Sequence, residues 1–561
     1  MGDGPPARAR PLTFRHFEGD RMAGTRWWQT AIIYQIYPRS FQDSGRDGVG
    51  DLLGIIRRLP YLADLGVDAV WLSPIFRSPM ADFGYDISDY TDIDPLFGTL
   101  ADFDALIEAS HRLGIHVILD LVPNHTSDQH PWFVESRTSR TSRKRDWYIW
   151  RDPGPDGGPP NNWLSQFGGS AWRVDPATGQ YYYHAFLAEQ PDLNWRNPAV
   201  RDAVHDVMRF WLVRGVDGFR VDVIWHLLKD DQFRDNPENP QYRPDQPPQK
   251  RLIPIYTEDL PGVQDIIAGL RSVIDEFTDR LLIGEIYLPI GRLIAYYGEH
   301  LRGVQLPFNF ALLETEWHAR AIAKLVSEYE AALPPGGWPN WVLGNHDRPR
   351  IASRVGRPQA RVAAMLLLTL LGTPTLYYGD EIGMNQVAIP PNRVRDPLEK
   401  NVPGRGLGRD GARTPMQWDA GRFAGFSEVE PWLPIADDAD MFNLANERDD
   451  PSSLFNLYLK LIRLRRTHRA LQLGAYRAVE ASGDVMLYGR EAGNDRIFVA
   501  LNMGGSRCTV RSARLHGEIL LSTDGTRDSE PIRDTIELRA DEGLIVGVSP
   551  DADIPAAVEI S

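Results

Sequence analysis

Eight short apolar runs, each followed by a stretch of helical periodicity, constrain this 561-residue chain more than any other feature. The runs are 32–38, 69–74, 116–124, 218–223, 281–286, 304–310, 341–344 and 373–378. They are apolar on both faces, as parallel strands covered on each side must be. Several intervening segments show one apolar helical face. In 197–215, Val200, Val204, Val207, Met208, Trp211 and Leu212 recur mostly at spacings of three and four; Asn197-Pro198 opens the helix and Gly215 closes it. Phe103, Leu106, Ile107 and Leu113 do the same in 100–114, ended by Gly114, while in 357–372 the run Val362 to Leu371 is apolar nearly all round, so that helix reads as deeply buried, with Gly372 as its stop. Eight such units in series predict an α/β fold, a (β/α)8 TIM barrel.

Two stretches break the rhythm. Residues 126–190 carry Gly/Pro-rich turns and the β-prone Tyr181-Tyr182-Tyr183. They are too long for a bare loop and are expected to form an inserted subdomain after the third strand, over the barrel mouth. Residues 230–262, rich in Pro, Asp, Asn and Gln, read as a long irregular loop. Beyond a last helix near 452–471, alternating runs at 475–479, 485–490, 496–501, 517–521 and 535–538 predict a C-terminal antiparallel β domain. The expected domains are a flexible N-terminal extension (1–26), the barrel (27–125 and 191–473), the insert (126–190) and a C-terminal β-sandwich (474–561). Met22 is a candidate start within the extension.

A net charge of −15 argues against a nucleic-acid partner, because phosphate binding needs basic patches. No run is long and apolar enough to span a membrane, and the polar first 26 residues lack a signal-peptide core. With Cys508 as the single cysteine, no intramolecular disulfide or Cys-based zinc site can form. The expected location is cytoplasmic.

Three of the apolar runs end in an acid: Asp222, Glu285 and, after Asn345-His346, Asp347. Carboxylates at the ends of parallel strands cost folding energy unless they do chemistry, and carboxylates brought together suit glycosidic bond cleavage. One attacks the anomeric carbon while a protonated one donates to the leaving oxygen. Arg220, two residues before Asp222 on the same side of its strand, is expected to keep Asp222 ionised as the nucleophile. Glu285 has no adjacent cation in sequence, so a raised pKa would suit it to general acid work. Asp347 is left to brace sugar hydroxyls and developing positive charge.

The motifs Asp120-Leu-Val-Pro-Asn-His125, Gly218-Phe-Arg-Val-Asp222, Gly284-Glu-Ile286 and Asn345-His-Asp347 resemble the four characteristic regions of the α-amylase family, glycoside hydrolase family 13. Gln190-Pro-Asp-Leu-Asn194 and Gly408-Arg-Asp-Gly-Ala-Arg-Thr-Pro-Met-Gln-Trp418 resemble its oligo-1,6-glucosidase and α-glucosidase branch. The resemblance implies a retaining exo-α-glucosidase acting on short oligosaccharides, with Asp222 as nucleophile, Glu285 as acid/base and Asp347 as transition-state stabiliser. It further implies that Asp82 and Tyr85 hold the terminal glucose and that Arg413 closes the pocket. His125, Arg220 and His346 complete the first subsite, and Phe167 and Phe186 are candidate walls from the insert. Val223 is typical of members that favour α-1,6 bonds, but Trp225 stands where Asn is usual and is a candidate acceptor wall. The aglycone therefore stays open: α-1,4 or α-1,6 glucose, fructose as in sucrose, or an aryl group.

No cofactor is expected for catalysis. Asp43, Asp47 and Asp51 recur every fourth residue and, with the Val49 carbonyl, form a candidate loop for a structural Ca²⁺ or Mg²⁺. It resembles the metal loop of this branch, with Gly45 in place of the usual Asn. Two other readings stand beside the hydrolase. One is a transglucosylase or sucrose/trehalose-converting enzyme with the same triad. The other is a non-catalytic transporter-associated homologue, which typically carries a membrane span and a broken triad. Oligomeric state is not legible.

Overall fold

Each of the eight apolar runs becomes one strand of a closed parallel barrel in the computed structural model, which describes residues 24–480 and 482–561. The expected N-terminal extension lies outside these residues, apart from 24–26. The strands are β1 (Ile33–Ile36), β2 (Ala69–Leu72), β3 (His116–Leu121), β4 (Gly218–Val221), β5 (Leu281–Ile286), β6 (Leu306–Asn309), β7 (Asn340–Val342) and β8 (Thr373–Tyr377). Neighbours follow chain order, and β1 lies between β2 and β8, with Ile33 opposite both Ala69 and Thr375.

Strand parity explains how this barrel builds a polar floor for a site. Ile33, Ala69, Ile118, Leu281, Ile283, Phe308 and Val342 belong to one buried cluster, separate from the larger core under the helices. Side chains two residues further on point to the same side. Those positions are Gln35 after Ile33, Asp120 after Ile118 and Glu285 after Ile283, while Arg220 and Asp222 follow Gly218. The interior thus changes from apolar to charged toward the C-terminal ends of the strands, where barrels of this kind carry their sites.

The helix Pro198–Val213 buries the six residues read from its sequence, opens with the Asn197 side chain accepting from the Ala199 N–H, and ends before Gly215 at φ 101°. Residues 126–190 contain a short helix, Pro131–Ser136, and a three-stranded antiparallel sheet of Trp150–Arg151, Tyr181–Tyr183 and Trp172–Val174. The C-terminal region is a seven-stranded antiparallel sheet. It includes Gly543–Val548, an apolar inner strand that sequence reading passed over, and the short Glu559–Ile560. Its two faces alternate. Met486, Tyr488, Ile497, Val499 and Leu501 join the barrel's outer core, whereas Leu487, Phe498, Ala500 and Val546 form a second core. The helix Arg357–Thr369 has a neighbour on both sides, which is why it is apolar nearly all round from Val362 onward. At and beyond its C-terminus, buried Arg465 donates to the carbonyls of Leu368, Leu370 and Gly372. Among the described residues no helix is long and apolar enough to cross a membrane.

Candidate active site

Arg220 is fully buried and lies among three carboxylates. Its Nη1 donates to Asp120 Oδ1 at 2.6 Å and to Asp222 Oδ1 at 2.8 Å, and its Nη2 pairs with Glu285 Oε2 at 2.7 Å. Register puts it there, because Arg220 lies directly across from Asp120 on β3 and from Ile283 on β5. Asp222 follows the last residue of β4, its N–H bonded to the Leu121 carbonyl at 2.8 Å. The chain then turns sharply: Val223 adopts the left-handed conformation at φ 38°, rare for a β-branched residue, and aims its N–H at Glu285 Oε2, 3.0 Å away. Gly284 makes room for that turn, since a Cβ there would fall 2.4 Å from Ile224 Cδ1. The carboxyl groups of Asp222 and Glu285 therefore meet over one guanidinium.

This geometry corrects the sequence-based division of charge. Glu285 has a cation after all, supplied by β4 rather than by its own strand. Asp222, expected to be held ionised by Arg220, moves up instead. Burial drives it well above the usual range; Arg220 pulls it back, and Glu285 and Asp120 push it further up. Asp120 is likewise pushed up to about 6 by burial against the pull of Arg220. One buried cation thus faces three buried carboxylates, and the acids of this cluster act on one another as a coupled set.

Asp347, in the loop after β7, has the opposite environment. Arg413 Nη2 lies 2.8 Å and Arg409 Nη1 3.3 Å from its Oδ1, with His346 Nε2 3.2 Å from its Oδ2. Burial would raise its pKa, but His346, Arg409 and Arg413 together hold it well below the usual carboxylate range. Burial also pushes His346 down to about 3, so at neutral pH the imidazole acts through its N–H and the two arginines supply the positive charge. A relay fixes its tautomer. Gln35 Nε2 donates to His346 Nδ1 at 2.8 Å, His346 Nε2 meets the Tyr85 hydroxyl at 2.8 Å, and that hydroxyl donates to Asp120 Oδ2 at 2.9 Å. The Tyr85 and His346 rings stack nearly parallel, 5.4 Å between centroids.

Asp82 is buried beside this cluster, and its partner is Arg409, whose Nη2 donates to Asp82 Oδ1 at 2.7 Å. Arg413, expected to close the pocket, is itself buried and holds Asp347 and the His346 carbonyl; the arginine across from Asp82 is Arg409, four residues earlier. Asp396 steadies Arg409 through contacts of 2.7–3.2 Å. His125 donates to the Tyr85 carbonyl at 3.0 Å, and burial lowers its pKa to about 4. Phe186 lies 5.2 Å from the His125 ring and 6.2 Å from Phe167, and Phe167 faces the Arg409 guanidinium at 5.2 Å. On the other side of Asp222, Trp225 sits 5.8 Å from Tyr287 and donates to Glu258 Oε2 at 3.4 Å.

All eleven catalytic and substrate-contact candidates thus join one connected cluster. Sequence reasoning missed roles for Gln35, Asp120 and Arg409. The first two were available from strand parity, and Arg409 lies inside the quoted 408–418 motif.

The 43–51 loop behaves differently. Asp43 accepts from the N–H groups of Arg46 and Gly48 and from the Ser427 hydroxyl; Asp47 accepts from the Val49 N–H. Asp51 caps the helix Leu52–Leu65 through the Gly54 N–H and also accepts from Ser44 and Gly45. Each carboxylate is committed to local donors, and among the described residues no three His, Cys, Asp or Glu side chains converge as metal ligands. In this arrangement the acids serve as acceptors within the loop and as the cap of the following helix.

Comparison with known proteins agrees with this geometry. The family model "Alpha amylase, catalytic domain" matches residues 35–474. The chain is 43% identical over 499 residues to a probable alpha-glucosidase of Rhizobium meliloti (strain 1021), covering 86% of this chain and 90% of that protein. It is 40% identical over 514 residues to an oligo-1,6-glucosidase of Parageobacillus thermoglucosidasius, covering 85% and 90%. The crystal structure of an alpha-glucosyl transfer enzyme, XgtA, superposes with a TM-score of 0.89 at 38% identity, covering 94% of this chain and all of that one. A closed barrel with acids gathered at its C-terminal end, matched over most of its length by this family, makes the chain a member of the α-amylase family.

Proposed function

We propose that the protein is a retaining, exo-acting α-glucosidase that releases glucose from the non-reducing end of short α-glucosides. The observation that carries this reading is the contact of Asp222 and Glu285 over Arg220, because a close carboxyl pair leaves no room for water between them and favours a covalent intermediate. In this reading, with a sugar in the pocket, the coupled acids hold a proton on Glu285. Asp222 attacks the anomeric carbon as a carboxylate, and the proton passes to the glycosidic oxygen from Glu285, which the Val223 N–H holds in place. Water then enters, Glu285 takes its proton, and the glucosyl–Asp222 ester breaks with the α configuration retained. Asp347, kept ionised by Arg409 and Arg413, grips the sugar hydroxyls. The Arg409–Asp82 bridge walls the pocket behind the first glucose and makes the action exo. A cytoplasmic location belongs to the same proposal and rests on the single cysteine.

Product analysis on maltose, isomaltose, sucrose and maltotriose, with proton NMR of the first glucose formed, tests this. The expected result is α-glucose first, removed one unit at a time; initial β-glucose, or internal fragments from starch, would overturn it. A second reading, transfer of glucose to another hydroxyl, is favoured by the likeness to the alpha-glucosyl transfer enzyme and by the aromatic wall of Trp225 and Tyr287. Disaccharide products that accumulate at high sugar concentration would establish it.

A further inference from the structure

A cavity of about 410 Å³ lies between the inserted sheet and the segment after β4, and none of the active-site residues line it. Five cations do: Arg140, Arg145, Arg151, Arg196 and Lys229. Lys229 is matched by Asp192 and Arg140 by Asp152, but among the described residues Arg145, Arg151 and Arg196 have no carboxylate within ion-pair reach. Three acids also line the cavity, and one of them is ion-paired away from it. Asp146 takes amide donors from Asn194 and Asn197, and Asp230 is held by Arg234 at 2.6 Å; Asp231 is exposed. Five cations against three acids in its lining give the cavity a modest excess of positive charge in a chain of net charge −15.

The guanidinium groups are also prearranged. Arg145 lies over the Trp150 ring at 3.5 Å and Arg151 over Phe233 at 3.6 Å, so both planes are fixed by stacking. Stacking leaves the N–H edge of Arg151 with only long contacts, 3.4 Å to the Trp150 carbonyl and 3.5 Å to the Asp231 carbonyl, and such an edge matches two oxygens of a phosphate or sulfate group. Arg145 is buried, with its remaining donors on neutral oxygens of Ser136, Thr178 and Gln180 and with Nε unpartnered. Arg196 is anchored by one Nη to the Lys229 carbonyl at 2.8 Å, at the cavity's rim. Burial lowers the pKa of Arg145 to about 10, against the opposing pull of Asp175.

We propose that this cavity is a second ligand site, for a phosphate-type oxyanion, free or carried on a small metabolite, held by the edges of Arg151 and Arg196, with Arg145 adding positive charge behind them. Its volume falls in the range of small-molecule sites, roughly 300–1,000 Å³. The site rests on nothing assigned to the catalytic acids and stands or falls apart from them.

The test is thermal shift and isothermal titration on the full chain with sodium phosphate, sodium sulfate and glucose 6-phosphate, against sodium chloride at matched ionic strength. A saturable rise in Tm with phosphate or glucose 6-phosphate, absent with chloride, is expected. Tighter binding of glucose 6-phosphate than of phosphate identifies a carried group, and equal binding identifies the free ion. The double variant Arg151→Gln/Arg196→Gln, both exposed positions, should weaken binding at least ~10-fold. Its kcat/KM on p-nitrophenyl α-glucoside should stay within about twofold of the parent. A rise that chloride reproduces, or affinity unchanged in the double variant, would sink the proposal.

Discussion

Asp222 and Asp347 are carboxylates of one cavity with opposite electrostatics, and opposite responses to mutation follow. Asp222 titrates above its unfolded value, so it adds stability only at low pH, and that stability is lost as pH rises through its folded pKa. Asp222→Asn removes an ionisation that burial opposes; at pH 7 it should abolish turnover while raising Tm by about 1–3 °C, on the usual scale of degrees per kcal/mol. Asp347 titrates below its unfolded value, so its stabilisation is present above the unfolded pKa and fades on acidification. Asp347→Asn should lower Tm at pH 7, with the deficit shrinking toward pH 3. Calorimetry of both variants across pH checks the pair, and shifts of the same sign would contradict the charge assignment. Arg409→Ala removes the partner of Asp82 and should raise KM for maltose by about 10-fold or more with a smaller change in kcat; steady-state kinetics on maltose read this split. The acids were legible in sequence because each ends an apolar run. Their pKa order was not, because Arg220 reaches Glu285 from a neighbouring strand, and no local sequence pattern records a contact between residues 65 apart.

At the scale of elements, the turn after β4 and the strand β5 fit together only because residue 284 lacks a side chain. Gly284→Val would drive a methyl into Ile224, destabilising by about 1–3 kcal/mol and displacing Glu285 from the Val223 N–H. Ile224→Ala in the same chain should restore part of the stability in urea unfolding; no recovery would place the strain elsewhere. The 43–51 loop, whose acids are spent on N–H donors, should be indifferent to chelation. Dialysis against EDTA is expected to leave Tm unchanged, and a drop of several degrees reversed by Ca²⁺ would show that the loop rearranges around an ion. The eight strands were readable because parallel strands advertise burial on both faces. Gly543–Val548 was not, although as apolar as they are; framed by glycines after an acidic stretch, it resembles a turn until its two partner strands are known. Arg409 escaped for a related reason: loop residues follow no parity that would tell which way they point.

Across the whole molecule, the helix between β7 and β8 joins the barrel to the C-terminal sheet through one shared core. Arg357–Thr369 is covered by barrel on one side and by the C-terminal sheet on the other, and Gly543 packs so near Met365 that an added Cβ would lie 2.8 Å from its sulfur. Ending the chain after residue 473 would strip that cover, and the shortened protein should aggregate on expression, as seen by sedimentation of the lysate. A soluble, fully active truncation would show that the barrel closes unaided.

The pairing of β1 with β8 carries a cost in time. On the ribosome, Ile33 emerges with one flank open and meets Thr375 only after roughly 340 further residues have been made, about 20–70 s at ~5–20 residues per second. For that interval the nascent chain carries an unsatisfied strand edge, which makes the growing polypeptide, rather than the finished enzyme, the species most in need of a chaperone.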